Sequence, residues 1–229
     1  MKRSLCLFDL DLTLLPIDSD HAWGQFMVSL GWADGEAYLR ANDAYYAQYQ
    51  AGTLDIHDYV EFATRAFRDR PAAEQAAAHA RFMAEVIAPR ILPAALELVR
   101  AHLDRGDLVA VITATNEFVT RPIAAALGAP HILAIDLERD ARGTITGCIQ
   151  GVPTFREGKV TRTEQWLAAQ GSGFGDFERI SVYSDSMNDL PLLERATDPV
   201  ATNPSPALEA LALERGWRVL RLFHDQEIH

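Results

Sequence analysis

Cysteine is nearly missing from this chain: Cys6 and Cys148 are the only two in 229 residues. Two thiols cannot frame a disulfide scaffold. Both lie in stretches that read as strand, so both are expected to be buried and unpaired. Missing too is any uninterrupted apolar run of the length that crosses a bilayer, about 20 residues. Basic charge is scarce, with 21 Lys and Arg against 32 Asp and Glu and a net charge of −11. Such a balance argues against nucleic acid or an anionic membrane as partner, because both reward a basic surface. A small anionic ligand would need a local cation to hold it. The opening MKRSLCLFD carries no apolar core and no small-residue cleavage site, so a cytoplasmic location is expected. His57, His79, His102, His131, His224 and His229 are scattered and point to no site.

What remains is an ordinary globular composition, 48% apolar and 23% charged. The length suits one large domain, or one domain with a smaller insertion. Short apolar runs that read as strands occupy 4–10, 107–113, 131–136, 179–184, 198–203 and 217–223. Helical patterns separate the later ones at 93–106, 117–128, 157–171 and 205–216, each closing on glycine. Strands and helices in alternation predict βαβ units and a parallel sheet covered on both faces. Residues 20–90 differ: rich in alanine, aromatics and charge, they predict about four helices and no strand, inserted directly after the first strand. Trp23, Phe26, Tyr45, Tyr46 and Tyr49 are expected to form that insertion's own core. LERDARGTITGCIQG, 137–151, alternates around an Arg-Gly turn and predicts a hairpin. The polar end RLFHDQEIH is expected to fray.

One stretch conflicts with its surroundings. LFDLDLTLL, residues 7–15, sets Asp9 and Asp11 inside an apolar run. Burying two like charges together is costly unless a cation or proton offsets them. In open parallel sheets, ligands bind where loops leave the carboxyl ends of strands. The first strand ends in Asp9 and Asp11, the second in Thr113, and the fourth in Ser184-Asp185-Ser186-Met187-Asn188-Asp189. Lys159 opens the helix before that last strand. Four carboxylates, a hydroxyl, an amide and a lysine would therefore converge on one crevice. Oxygen ligands without histidine or thiolate favour a hard cation, so Mg²⁺ is the expected cofactor, with Asp9, Asp11, Asp185 and Asp189 as candidate metal residues.

DLDLT at 9–13, Thr113, Lys159 and SDSMND at 184–189, in this order and with a helical insertion after the first, resemble the four motifs of the haloacid dehalogenase superfamily. The resemblance is greatest to its phosphoserine-phosphatase-like branch, subfamily IB, and covers the whole chain. It implies an α/β fold: a Rossmann-like core with a parallel sheet at 1–16 and 91–229, and a helical cap at 17–90. It implies a phosphatase with Asp9 as nucleophile and Asp11 as general acid and base. Mg²⁺ would be held by the Asp9 carboxylate, the Asp11 main-chain carbonyl and Asp185, with Asp189 completing the shell through water or anchoring Lys159. Thr113, Lys159 and Asn188 would hold the phosphoryl oxygens. Relatives that displace halide lack an acid at the Asp11 position, so its presence points to a phosphoester. Many relatives carry glycine where this chain has Ser184 and Ser186, and a Ser-Gly pair where it reads Thr-Ala-Thr at 113–115.

Specificity should lie with the cap. Asp18, Asp20 and His21 would face the crevice if a helix begins near Ser19, and a carboxylate there suits an ammonium-bearing substrate. Asp18 or Ser19 could equally serve only to cap that helix. LLPIDSDHAWGQF is similar to the corresponding segment of phosphatases of histidinol phosphate. The resemblance therefore ranks histidinol phosphate first, phosphoserine second and a range of small phosphorylated metabolites third; the first two belong to amino-acid biosynthesis. A phosphotransferase or mutase would use the same core residues. A non-catalytic binding module would be expected to have lost Asp9, Asp11 or Lys159.

Overall fold

A computed structural model of the chain describes residues 3–223. The polar end at 224–229, with His224 and His229, lies outside the described residues. Strand β1 (Ser4–Phe8) alternates its side chains between two faces: Cys6 and Phe8 enter one buried cluster, Leu5 and Leu7 the other. Fully burying each such Leu or Phe side chain contributes about 1.5–3 kcal/mol. The other sheet strands are β2 (Leu108–Asn116), β3 (Ile132–Ile135), β6 (Arg179–Ser184), β7 (Asp198–Thr202) and β8 (Arg218–Leu220). They pair in the order β3-β2-β1-β6-β7-β8, and every pairing is parallel.

The register places the chemistry. Phe8 lies opposite Val111 on one side and Tyr183 on the other, so the three strands bring their chemistry to the same edge of the sheet. Asp9 follows Phe8 directly, and Thr113 and Asp185 lie two residues past Val111 and Tyr183. β2 continues through an irregular stretch to Asn116, beyond the exit expected at Thr113.

Between β1 and β2 run α1 (Ser19–Ser29), α2 (Gly35–Ala51), α3 (Ile56–Arg65) and α4 (Ala72–Phe82), the last continuing through one π-helical turn at Met83–Ile87. α5 (Pro93–Asp104) then leads into β2, and no strand is assigned among residues 20–90. α6 (Glu117–Ala126) packs on the β3 side, while α7 (Glu157–Ala168), α8 (Leu190–Leu193) and α9 (Pro206–Arg215) bury Leu167, Leu192, Leu193 and Leu208 on the opposite face. Glycines 106, 128, 171 and 216 all take positive φ just past helices, as their spacing predicted. The predicted hairpin is β4 (Leu137–Arg139) with β5 (Ile145–Ile149), antiparallel, and it packs against α3. No described helix is long and apolar enough to cross a membrane.

Two expectations need correcting. Cys6 is buried but Cys148 is exposed. It projects from β5, in a two-stranded sheet with one face open to solvent, where alternate residues point outward. The aromatic stripe is also not one core. Trp23 is fully buried against Phe67 and Phe82 of the insertion and also against Phe118 of α6, so it seats the inserted helices on the sheet. Tyr45 packs on Tyr59 and Phe62 within the insertion as expected, and with Tyr46 and Tyr49 it also lines the crevice at the end of the strands.

Candidate active site

The loop after β1 doubles back on itself. Leu12 takes a left-handed conformation (φ 58°), and both Leu14 and Leu15 return their amides to the Leu10 carbonyl. From across the sheet Asn203 donates to the carbonyls of Leu12 and Thr13, fixing the turn. The consequence is that the fully buried Thr13 returns beside Asp9, and its hydroxyl lies 3.4 Å from Asp9 Oδ2 and 3.2 Å from Asp185 Oδ1.

Lys159 arrives from the first turn of α7. Gly158 beside it matters sterically, because a Cβ there would collide with the Pro153 carbonyl. The Lys159 ammonium is buried and donates to Asp9 Oδ1 at 2.8 Å and Asp189 Oδ2 at 2.7 Å. Burial works against its charge, but Asp189 and Asp9 outweigh it and hold the pKa above the ordinary lysine value. Ser184 donates a second hydrogen bond to Asp189 Oδ2 at 2.7 Å, and Ser186 accepts from the Asn188 amide. The two serines standing where glycine is common therefore brace the turn.

Asp189 anchors Lys159, and its other oxygen, Oδ1, is buried with no hydrogen-bond partner. Asp11 points elsewhere: its carboxylate accepts from the Ser19 amide at 2.8 Å and from the Thr115 hydroxyl at 2.9 Å. Burial and the nearby Asp18 charge push it up to about 7. The four acids thus do not form a single cage, and among the described residues no three His, Cys, Asp or Glu side chains group to hold a metal. Asp9 and Asp185 form the close pair. Burial, and then the charge of Asp9, raises Asp185 well above the carboxylate range; burial raises Asp9 against the pull of Lys159. Two adjacent buried carboxylates in an all-oxygen setting fit a small hard cation, which commonly takes only one or two protein carboxylates.

Over Asp9 lies a small enclosed chamber of about 40 Å³, lined by Asp9, Asp11, Asp18, Asp20, His21, Tyr45, Tyr46, Tyr49, Tyr59 and Thr113 among others. Asp18 does both things proposed for it: it caps α1 by accepting from the His21 amide at 2.8 Å, and it lines the chamber. Asp20 is buried, accepts from Asn116 at 3.3 Å and bonds the Tyr59 hydroxyl; burial, then Asp18 and Asp11, push it up to about 8. His21 stacks on Tyr46 and pairs with Asp43 at 2.8 Å. Thr113 is buried at the chamber floor. Asn188 stands apart: it lines an outer cleft of about 980 Å³ and donates to the Tyr49 carbonyl at 3.0 Å.

Thr115, Tyr59 and Arg156 also belong to this region, and sequence reasoning gave none of them a part; Tyr49, read from the sequence as part of the insertion's aromatic stripe, belongs to it too. Thr115 alone had a readable signal, as the second threonine of the strand-exit Thr-Ala-Thr.

The model of haloacid dehalogenase-like hydrolases matches residues 6–194, the span from just before Asp9 to just past Asp189. The chain belongs to that family. A histidinol-phosphatase of Neisseria meningitidis serogroup C (strain 8013) is 41% identical over 218 residues, covering 95% of this chain and 98% of the relative. A crystal structure of a protein with unknown function from Bordetella pertussis Tohama I is 48% identical, with a TM-score of 0.92 over 97% of this chain and all of that one. A substrate-bound phosphoserine phosphatase complex shares the fold, with a TM-score of 0.68 at 18% identity, covering 96% of this chain and 93% of that one. Within the haloacid dehalogenase-like hydrolases the chain is a phosphoric monoester hydrolase.

Proposed function

We propose that this hydrolase is a cytoplasmic, Mg²⁺-dependent phosphatase of histidinol phosphate that works through an aspartyl-phosphate, with residues 17–90 as a cap over a core of 1–16 and 91–229. The observation that carries the substrate reading is the lining of the chamber beside Asp9, which has to widen to admit an ester: half-buried Asp18 and buried Asp20 offer carboxylates, and Tyr45, Tyr46 and Tyr59 offer rings. An alcohol bearing an ammonium and an imidazole matches acids and aromatics together. The 41% identity to a histidinol-phosphatase supports the same choice.

In the first step an Asp9 carboxylate oxygen attacks phosphorus and the bond to the ester oxygen breaks. Asp11, whose carboxyl burial and the Asp18 charge push up to about 7, is protonated in a large share of molecules near neutral pH and gives that proton to the departing alkoxide. In the second step Asp11 takes a proton from water as that water attacks phosphorus, releasing phosphate and free Asp9. Lys159 offsets charge on the phosphoryl oxygens, Thr113 donates to them from the chamber, and Asn188 would donate its remaining side-chain amide hydrogen from the outer side, where it lines the cleft with Asp185. The Asp9 and Asp185 carboxylates and the Asp11 main-chain carbonyl would hold Mg²⁺, which supplies the positive charge this acidic site needs beyond Lys159. The Thr13 hydroxyl orients both carboxylates.

Phosphate release with Mg²⁺ from histidinol phosphate, phosphoserine and a set of sugar and nucleotide monophosphates tests this. Histidinol phosphate should lead, and Asp9→Asn should lose turnover by at least about 10³-fold while its melting temperature is kept. Equal weak activity on every ester would remove the substrate reading and leave the chemistry. No release from any ester would remove both.

A further inference from the structure

Arg156, just before α7, holds a backbone conformation that L residues rarely adopt, φ 51° and ψ −123°. This is the mirror image of the polyproline region, open to glycine but costing other residues about 1–3 kcal/mol. Such strain persists only where the surroundings over-determine it. Here the side chain does so. Its guanidinium donates through Nη2 to the Gly52 carbonyl, which ends α2, and through Nε to Asn188 Oδ1 at a long 3.5 Å. It also lies 5.0 Å from the centre of the Phe155 ring. Gly52 is left-handed (φ 69°), and a Cβ on it would stand 3.0 Å from Arg156 Nη2. Glycine there serves both the helix end and the approach of the guanidinium.

Asn188 completes the arrangement by donating Nδ2 to the Tyr49 carbonyl at 3.0 Å. The chemistry of the two partners fixes which way its amide points. A guanidinium only donates, so it selects Oδ1; a carbonyl only accepts, so it selects the NH₂ group. One of the two amide hydrogens is then taken by Tyr49, and the other is left for a ligand oxygen. At the end of α2 the Gly52 carbonyl receives the guanidinium, and the Tyr49 carbonyl receives the Asn188 side-chain amide in addition to the Gly52 main-chain amide at 3.1 Å. Tyr46 and Tyr49, on that last stretch of α2, line both the inner chamber and the outer cleft and so form the wall between them.

We infer that Arg156 is a positioning residue of the hydrolysis: by bridging Gly52 and Asn188 it orients the Asn188 amide and ties the tyrosine-bearing end of α2 over Asp9. The inference rests on the reading of this crevice as the active site. Arg156 touches neither Asp9 nor the chamber; it acts through Asn188 and α2.

Arg156→Gly separates this role from a purely structural one, because it removes the guanidinium and relieves the backbone strain at once. Three measurements on the full chain decide it: thermal unfolding, amide hydrogen exchange over residues 46–55, and kcat and KM on histidinol phosphate and on phenyl phosphate with Mg²⁺. The variant should melt no lower than the native chain, exchange faster at 46–55, and lose about tenfold or more in kcat/KM on both esters, mainly in kcat. Unchanged exchange, or native kcat/KM, would overturn the inference. So would a fall in melting temperature that tracks the fall in activity. If the native chain hydrolyses neither ester, the proposed function fails, and the exchange and melting comparison alone decides whether Arg156 holds α2.

Discussion

Asp18 meets two demands with one carboxylate, and this makes its replacement informative. Its Oδ1 caps α1 while the same side chain lines the chamber over Asp9. Asparagine caps helices as well as aspartate, so Asp18→Asn should leave stability within a few tenths of a kcal/mol. The charge is what an ammonium-bearing substrate would lose. A charge-assisted hydrogen bond is worth about 1.5–3 kcal/mol, so kcat/KM for histidinol phosphate should fall by about 10- to 100-fold. Phenyl phosphate, which has no ammonium, should lose less, because it feels only the smaller effect through Asp11, whose carboxyl the Asp18 charge helps to push up. Equal losses on both esters would mean that Asp18 serves the core chemistry and not recognition. At this scale the motif residues Asp9, Asp11 and Asp185 were legible because aspartate is out of place at an apolar strand end, and Lys159 through its order among them. Thr13 stood inside a readable motif, yet its link to Asp185 crosses 172 positions and leaves no local mark.

Among the elements, α4 and α1 carry the seam between the inserted helices and the sheet. His79 of α4 is buried beside Trp23 and Phe118, and its Nε2 lies 3.3 Å from the Val119 carbonyl of α6. Since that carbonyl can only accept, Nε2 carries the proton of a neutral ring. Burial pushes the His79 imidazole below its ordinary value, against that hydrogen bond. The unfolded chain takes up a proton as pH falls through about 6.5, whereas the folded chain resists it. Stability contributed by neutral His79 is therefore complete above that pH and declines below it. Urea unfolding at pH 7.5 and pH 5.5 should show a loss at the lower pH that is smaller in His79→Phe, which keeps the ring and removes the titration. The helices and strands themselves were legible from their periodicities and from the glycines that close them. That Trp23 spans the seam was not, because periodicity tells which face of a helix is apolar and not which partner covers it.

For the whole molecule, the acidic balance and the site are one problem. A net charge of −11 disfavours gathering further acids, yet the sheet brings Asp9 and Asp185 into contact with a common hydroxyl. A bound divalent cation would relieve that repulsion and stabilise the folded chain by mass action. At a hundred times its Kd a ligand adds about 2.7 kcal/mol, which for a chain of this size raises Tm by roughly 5–10 °C. Differential scanning calorimetry with excess Mg²⁺ against EDTA should show that rise, and Asp185→Asn should diminish it. No difference between the two conditions would argue that the pair holds no cation.

Local chemistry along the chain was enough to read a parallel α/β sheet, a helical insertion after β1, and acids, Thr113 and Lys159 gathered at strand exits. Each of those rests on neighbours in sequence: alternation within strands, three-to-four spacing within helices, and charge placed abruptly against apolar runs. The disposition of the site came from contacts between distant segments. Asp11 turning toward Ser19 and Thr115, and Tyr46 and Tyr49 walling the chamber, depend on packing; of the two roles the resemblance allowed Asp189, packing selects the anchoring of Lys159. The Arg156 to Gly52 contact spans 104 positions. Hydrogen-bond partners so far apart are selected by the register of the sheet and the seating of the inserted helices, and only the folded chain brings them within reach.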